Sequence, residues 1–180
     1  MIFRNSEIAG AYVVELERNV DSRGCFSRAF CTAAFAQEGI HFEVVQANLS
    51  LNQLKGTLRG MHYQERGTGE SKLVRCIKGA VWDVIIDMRV ESPTYLRQVG
   101  VELSAENGLS LYVPEFVAHG TLALSDGAEI LYLMGGFHNP AKALGFRFDD
   151  PDAGIVWPHD VSVVSQRDLD WPAIGLKDGK

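Results

Sequence analysis

The sequence predicts an all-β domain, an antiparallel sandwich or barrel with short peripheral helices. Short apolar or alternating runs dominate the 180 residues, turn signals separate them at short intervals, and only one stretch suits a helix. In order, the strand-like runs are "GAYVVELE", "FEVVQANLSL", "GTLRGMHYQ", "SKLVRCI", "AVWDVIIDM", "QVGVEL", "LSLYVP", "TLALS" and "EILYLM". Lys78-Gly79, Ser92-Pro93, Glu106-Asn107-Gly108 and Ser125-Asp126-Gly127 supply the turn chemistry between the later runs. The helix lies around "CTAAFAQEG" and stops at Gly39, as a helix C-terminus should. No repeat, low-complexity tract or linker divides the chain, so one domain over residues 1–180 is expected.

Composition excludes several function classes. A formal net charge of -6 disfavours nucleic acid and anionic membranes as partners. An anionic small ligand would have to be held by a few local Arg and Lys residues. Three cysteines, Cys25, Cys31 and Cys76, lack metal-ligand spacing and read as reduced thiols of a cytoplasmic protein. The N-terminus lacks the apolar run of a signal peptide, and no stretch is long enough to span a bilayer.

Polar residues inside two strand-like runs point to a cavity. In "HFEVVQANLSL", Phe42, Val44, Gln46, Asn48 and Ser50 share one face, which turns from apolar to polar along the strand. A packed interior opening into a mouth has that character. In "TLRGMHYQ", strict alternation puts Arg59 and His62 on opposite faces. A bulge at Gly60 would bring both into one cavity, since glycine permits one at little cost.

Candidate chemistry follows from residue type. His62 suits acid–base work near neutral pH, or else it is a hydrogen-bonded rim histidine. His119, in "VPEFVAHG", carries the same two readings. Lys72 either brings a positive charge to the mouth or is a solvated strand-end lysine. Arg23 and Arg59 either grip phosphate through bidentate bonds or form surface ion pairs. Tyr132 is central in its strand, where most tyrosines are core, and Asp168 either orients a histidine or lies exposed. No metal is expected, because His62 has no second histidine beside it and His41, His138 and His159 are scattered.

Taken together, "DSRGCF", "VQANLSLNQLKGTLRGMHYQ", "SKLVRCIKGAVWDVIIDMR", "SPTY", "VPEFVAHG", "LY", "DDPDAGIVWP" and "SQRD" resemble the dTDP-4-dehydrorhamnose 3,5-epimerase family in order and spacing, from about Asp21 to Gly175. The resemblance implies a cupin-like antiparallel jelly-roll barrel, a homodimer, a nucleotide-sugar substrate and no metal or cofactor. It implies that His62 is the general base, polarised by Asp168, and that Lys72 sits near the sugar C4 oxygen. Tyr132 becomes the acid on the opposite ring face, and Arg59 a diphosphate ligand. Arg23 would reach diphosphate from the neighbouring subunit, and Gln46 would help hold the nucleotide. Phe26, Arg28, Asn48, His119 and His138 complete the implied substrate-binding set.

Three positions depart from the family pattern. Arg28 stands where an acidic residue is common, Phe137-His138 where an aromatic pair is common, and Ala143 where an acidic residue follows Pro140. Arg28 touches the expected base-reading region, where a donor would suit cytosine N3 and hence a CDP-linked sugar. His138 touches the sugar pocket and the choice between C3 and C5. The leading expectation is an epimerase of a nucleotide-linked 4-keto-6-deoxyhexose. The alternatives are a sugar-nucleotide 3,4-ketoisomerase and a non-catalytic sugar-nucleotide-binding barrel.

Overall fold

A computed structural model describes residues 1–175; the remaining five positions of the expected 1–180 domain lie outside the described residues. The chain runs through β1 (Ile2–Asn5), β2 (Tyr12–Glu15), β3 (Arg18–Asp21) and β4 (Gly24–Ser27), then α1 (Thr32–Gln37). There follow β5 (Gln46–Asn52), β6 (Leu58–Gln64), β7 (Lys72–Lys78), β8 (Ala80–Asp87), β9 (Gln98–Ser104) and β10 (Ser110–Val113). The last elements are β11 (Val117–Ala123), β12 (Ala128–Met134), a 3-10 turn at Pro140–Lys142, β13 (Ala143–Gly145) and α2 (Gln166–Leu169).

Two antiparallel sheets face each other, ordered β1-β2-β10-β7-β12-β5 and β13-β6-β11-β8-β9, with β3-β4 as a separate hairpin. From β5 to β8, and again from β10 to β12, successive strands alternate between the sheets, which is the jelly-roll pattern. Val74, Cys76, Leu111 and Ile130 of the first sheet pack against Val81, Ile85, Leu103 and Val117 of the second. That interior is apolar because each strand turns its alternate residues inward. The central strand β11 is buried at every position.

Beyond one end of this core, the inward positions change character. Gln46, Asn48 and Ser50 of β5 line a cavity of about 530 Å³ between the sheets. The exposed outer face of the same strand carries Leu49 and Leu51. Phe42, at the apolar end of the expected pattern, packs with Phe35 and Tyr112, although the strand itself begins only at Gln46. There the aromatic cluster around α1 replaces sheet pairing. Gly39 sits just past α1 at φ 74°, as the sequence predicts.

The bulge is where the sequence places it. His119 of β11 pairs with His62 of β6, whereas Thr121 pairs with Arg59, so β6 carries one extra residue between those two contacts. Gly60 adopts φ 143° there, and a Cβ on it would come within 2.6 Å of Gly120 Cα. Only glycine fits that approach. β1, β3, β4, β13 and α2 have no counterpart in the strand-by-strand expectation, and β11 starts at Val117 rather than within "TLALS".

Candidate active site

The cavity draws on both sheets. β5, β7 and β12 supply Gln46, Lys72 and Tyr132; β6 and β11 supply Arg59, His62 and His119. The bulge resolves the alternation conflict, since both Arg59 and His62 line the same space.

His62 meets its carboxylate through the C-terminal segment. That segment is tied to β6 by Leu58 N–H donating to Val163 O at 2.8 Å. Ser165 then caps α2, accepting from Asp168 N–H at 3.1 Å. The result brings Asp168 Oδ1 to 2.6 Å from His62 Nε2, while Gly60 N–H donates to Asp168 Oδ2 at 3.4 Å. Burial works to raise the Asp168 pKa, but the His62 contact, the Gly60 N–H and Ser165 outweigh it and hold the carboxyl below its ordinary value. An ionised Asp168 accepts from Nε2–H, which leaves Nδ1 as the basic nitrogen of a neutral ring. The His62 side chain is 40% exposed and that of Asp168 only 5%.

His119 makes a second such pair. Its Nε2 lies 2.9 Å from Asp83 Oδ2, with Asp83 fully buried and its Oδ1 without a hydrogen-bond partner among the described residues. The His119 ring also packs edge-on against Tyr132, centroids 6.0 Å apart. Burial pushes the Tyr132 phenol well above its usual range and the Asp83 charge adds to the shift, while Thr121 opposes it. Tyr132 therefore stays protonated at neutral pH, the state of a proton donor.

Arg59 is held by Asn52 Oδ1 at 2.9 Å and by Leu51 O at 3.2 Å. Among the described residues it has no carboxylate partner. Lys72 is 6% exposed and lies 3.5 Å from Glu70. Arg59, Lys72 and Arg167 against Glu70 and Asp168 make the cavity locally cationic in a chain of net charge -6. Ser50 Oγ and Gln64 Nε2, both on lining residues, are buried without a hydrogen-bond partner among the described residues, so the walls offer spare polar capacity to a hydroxyl-rich ligand. No group of three or more His, Cys, Asp or Glu among the described residues is arranged to hold a metal.

Of the sequence-predicted residues, His62, Lys72, Tyr132, Asp168, Gln46, Asn48, Arg59, His119 and His138 line the cavity. Arg23, Phe26 and Arg28 do not. Arg23 pairs with Asp21 at 2.6 Å on the β3-β4 hairpin, Phe26 is 77% exposed there, and Arg28 points a guanidinium nitrogen at Cys31 Sγ, 3.9 Å away. Glu70, Gln64, Asp83 and Arg167 were not anticipated. Asp83 had a legible signal, a carboxylate flanked on both sides by apolar residues in "AVWDVII".

Residues 5–175 match the family model described as dTDP-4-dehydrorhamnose 3,5-epimerase. The dTDP-4-dehydrorhamnose 3,5-epimerase of Methanothermobacter thermautotrophicus is 39% identical over 172 residues, covering 94% of this chain and 92% of that one. The crystal structure of the Elizabethkingia anophelis enzyme of the same name superposes with a TM-score of 0.94 at 34% identity, covering 99% of each chain. ChmJ, a 3′-monoepimerase from Streptomyces bikiniensis solved with dTDP-quinovose, gives a TM-score of 0.87 at 35% identity, covering 93% of this chain and 85% of that one.

Proposed function

The chain belongs to the dTDP-4-dehydrorhamnose 3,5-epimerase family and is an isomerase of dTDP-sugars; on that premise we propose that it inverts C3, C5 or both in a 4-keto-6-deoxyhexose. The observation that carries the mechanism is a carboxylate-held histidine on one sheet and a protonated tyrosine on the other, lining one cavity with Lys72.

The chemistry needs those three groups. A C–H beside a ketone is a weak acid, so its removal requires a base and a cation at the oxygen that becomes the enolate. His62 Nδ1 takes the proton, and the resulting imidazolium is stabilised by Asp168. Lys72 faces the developing charge on the C4 oxygen. Tyr132 then protonates the carbon from the other face, which inverts it, and solvent restores both residues. The ketone already acidifies both neighbouring carbons, so no step calls for a redox cofactor.

Arg59 grips the diphosphate, and Gln46 and Asn48 hold the nucleotide side of the substrate. The second copy in a homodimer supplies Arg23 and Phe26. Exposed Val20 and Phe26 on the hairpin, with Leu49 and Leu51 on the outer face of β5, give such a partner apolar surface to cover. The relatives favour dTDP as the nucleotide. Arg28 would suit cytosine but lies against Cys31, so CDP outcompeting dTDP would be needed to give it that role. Three unpaired thiols suit a cytoplasmic enzyme.

Solvent-deuterium exchange on a dTDP-4-keto-6-deoxyhexose tests the reading. Deuterium at C3 or C5 with inversion is expected, and its position tells one epimerisation from two. Carbonyl migration from C4 to C3 would instead make the protein a 3,4-ketoisomerase. Tight binding without exchange would make it a binding barrel.

A further inference from the structure

Glu70 is a carboxylate in the cavity for which the reaction above has no use. It precedes Lys72 by two residues, and both line the same space. Its loop is fixed in place. Gly69 N–H donates to Glu115 Oε1 at 2.9 Å, and Gly135 N–H to Ser71 O at 2.8 Å. A Cβ on Gly136 would fall 2.4 Å from Thr68 O, so the loop lies against the end of β12 only because glycine is there.

The Glu70 side chain is 11% exposed and the Lys72 side chain 6%, with Oε1 and Nζ 3.5 Å apart. That is ion-pair contact, yet longer than the roughly 2.7–2.9 Å of a strong charge-assisted hydrogen bond. Neither side chain makes a hydrogen bond to any other described residue. The ammonium has three donors and the carboxylate about four acceptor sites, so both retain capacity.

A ketone beside a hydroxyl presents an acceptor and a donor on adjacent carbons. Lys72 and Glu70 present a donor and an acceptor side by side, the complementary set. We propose that Glu70 is a specificity-determining residue that accepts a hydrogen bond from the C3 hydroxyl while Lys72 donates to the C4 oxygen. The assignment rests on the reading of this cavity as a sugar-nucleotide site. It makes the C3 hydroxyl a required feature of the substrate, because an analogue without it leaves a buried carboxylate without its partner.

Calorimetric binding of dTDP, dTDP-6-deoxyglucose and the 3-deoxy counterpart of that sugar nucleotide tests this without turnover, since none carries a ketone. Wild type should bind the 3-hydroxyl sugar about 10- to 150-fold more tightly than the 3-deoxy one, as for one hydrogen bond to a charged group. Glu70→Ala should bring that ratio close to one while keeping its affinity for dTDP. Glu70→Gln, whose amide oxygen still accepts, should retain part of it. Equal weakening of both sugars in Glu70→Ala would reduce Glu70 to a support for Lys72 and overturn the proposal, as would a wild type that binds dTDP yet ignores the C3 hydroxyl. Wild type that binds none of the three ligands would overturn the sugar-nucleotide reading first, and this one with it.

Discussion

The chain builds two histidine–carboxylate pairs at one cavity, and their settings differ. His62 is 40% exposed, and its Asp168 partner receives the Gly60 N–H on its carboxylate and donates its own backbone N–H to the capping Ser165 Oγ. His119 is 8% exposed, and its Asp83 partner is fully buried with one oxygen unpartnered among the described residues. A base must present a free nitrogen to the substrate and exchange its proton with solvent, which favours the open pair. The closed pair instead fixes a ring beside Tyr132 and keeps a negative charge near the phenol, which favours its protonated form. The residue types match and the exposures differ, which on the proposed mechanism assigns the base to the open pair.

The largest test of that division is substitution of each histidine. His62→Ala should lower the deuterium exchange rate by about 10²–10⁴-fold, the contribution of a positioned base. His119→Ala should keep most of the exchange and act mainly on KM, measured in the same assay. Equal losses would erase the distinction between the pairs.

A smaller effect is expected at the cavity edge. Arg59→Ala removes a charge-assisted diphosphate contact of roughly 1.5–3 kcal/mol, so its Kd for dTDP should rise about 10- to 150-fold. Unchanged affinity in calorimetry would put Arg59 outside the ligand site.

The smallest effect concerns stability and acid. Asp168 titrates below its unfolded value, so the stability it contributes is present above the ordinary carboxylate pKa and is lost as pH falls through the folded one. Urea midpoints should therefore drop for wild type below about pH 4, and Asp168→Asn should show a shallower acid limb. The variant should also keep more exchange activity than His62→Ala, since the base itself remains. An unchanged acid limb would mean that Asp168 is not ionised against His62.

The sequence made legible whatever had one buried face. The inward set of β5, the bulge at Gly60 and the end of α1 at Gly39 all follow from alternation or from glycine's backbone freedom. The β3-β4 hairpin did not, because β3 is exposed at all four positions and no apolar period marks it. α2 is four residues long, too short for a helical period, so residue type left Asp168 with two readings and only the family resemblance chose between them. Glu70 lies in a glycine-rich loop, where alternation does not tell which side chains turn inward. His119 was legible as a candidate, but its tie to Asp83 depends on two strands meeting across a sheet.

The division of labour between His62 and Tyr132 can be measured most directly in Tyr132→Phe. In deuterium oxide, with a dTDP-4-keto-6-deoxyhexose, His62 can still remove the proton, exchange it with solvent and return deuterium to the same face. The predicted result is deuterium at C3 or C5 with retained configuration, while inversion falls by about 10²–10⁴-fold for want of the opposing acid. Exchange and inversion falling together would contradict the two-face account, because Tyr132 would then be needed for proton removal itself.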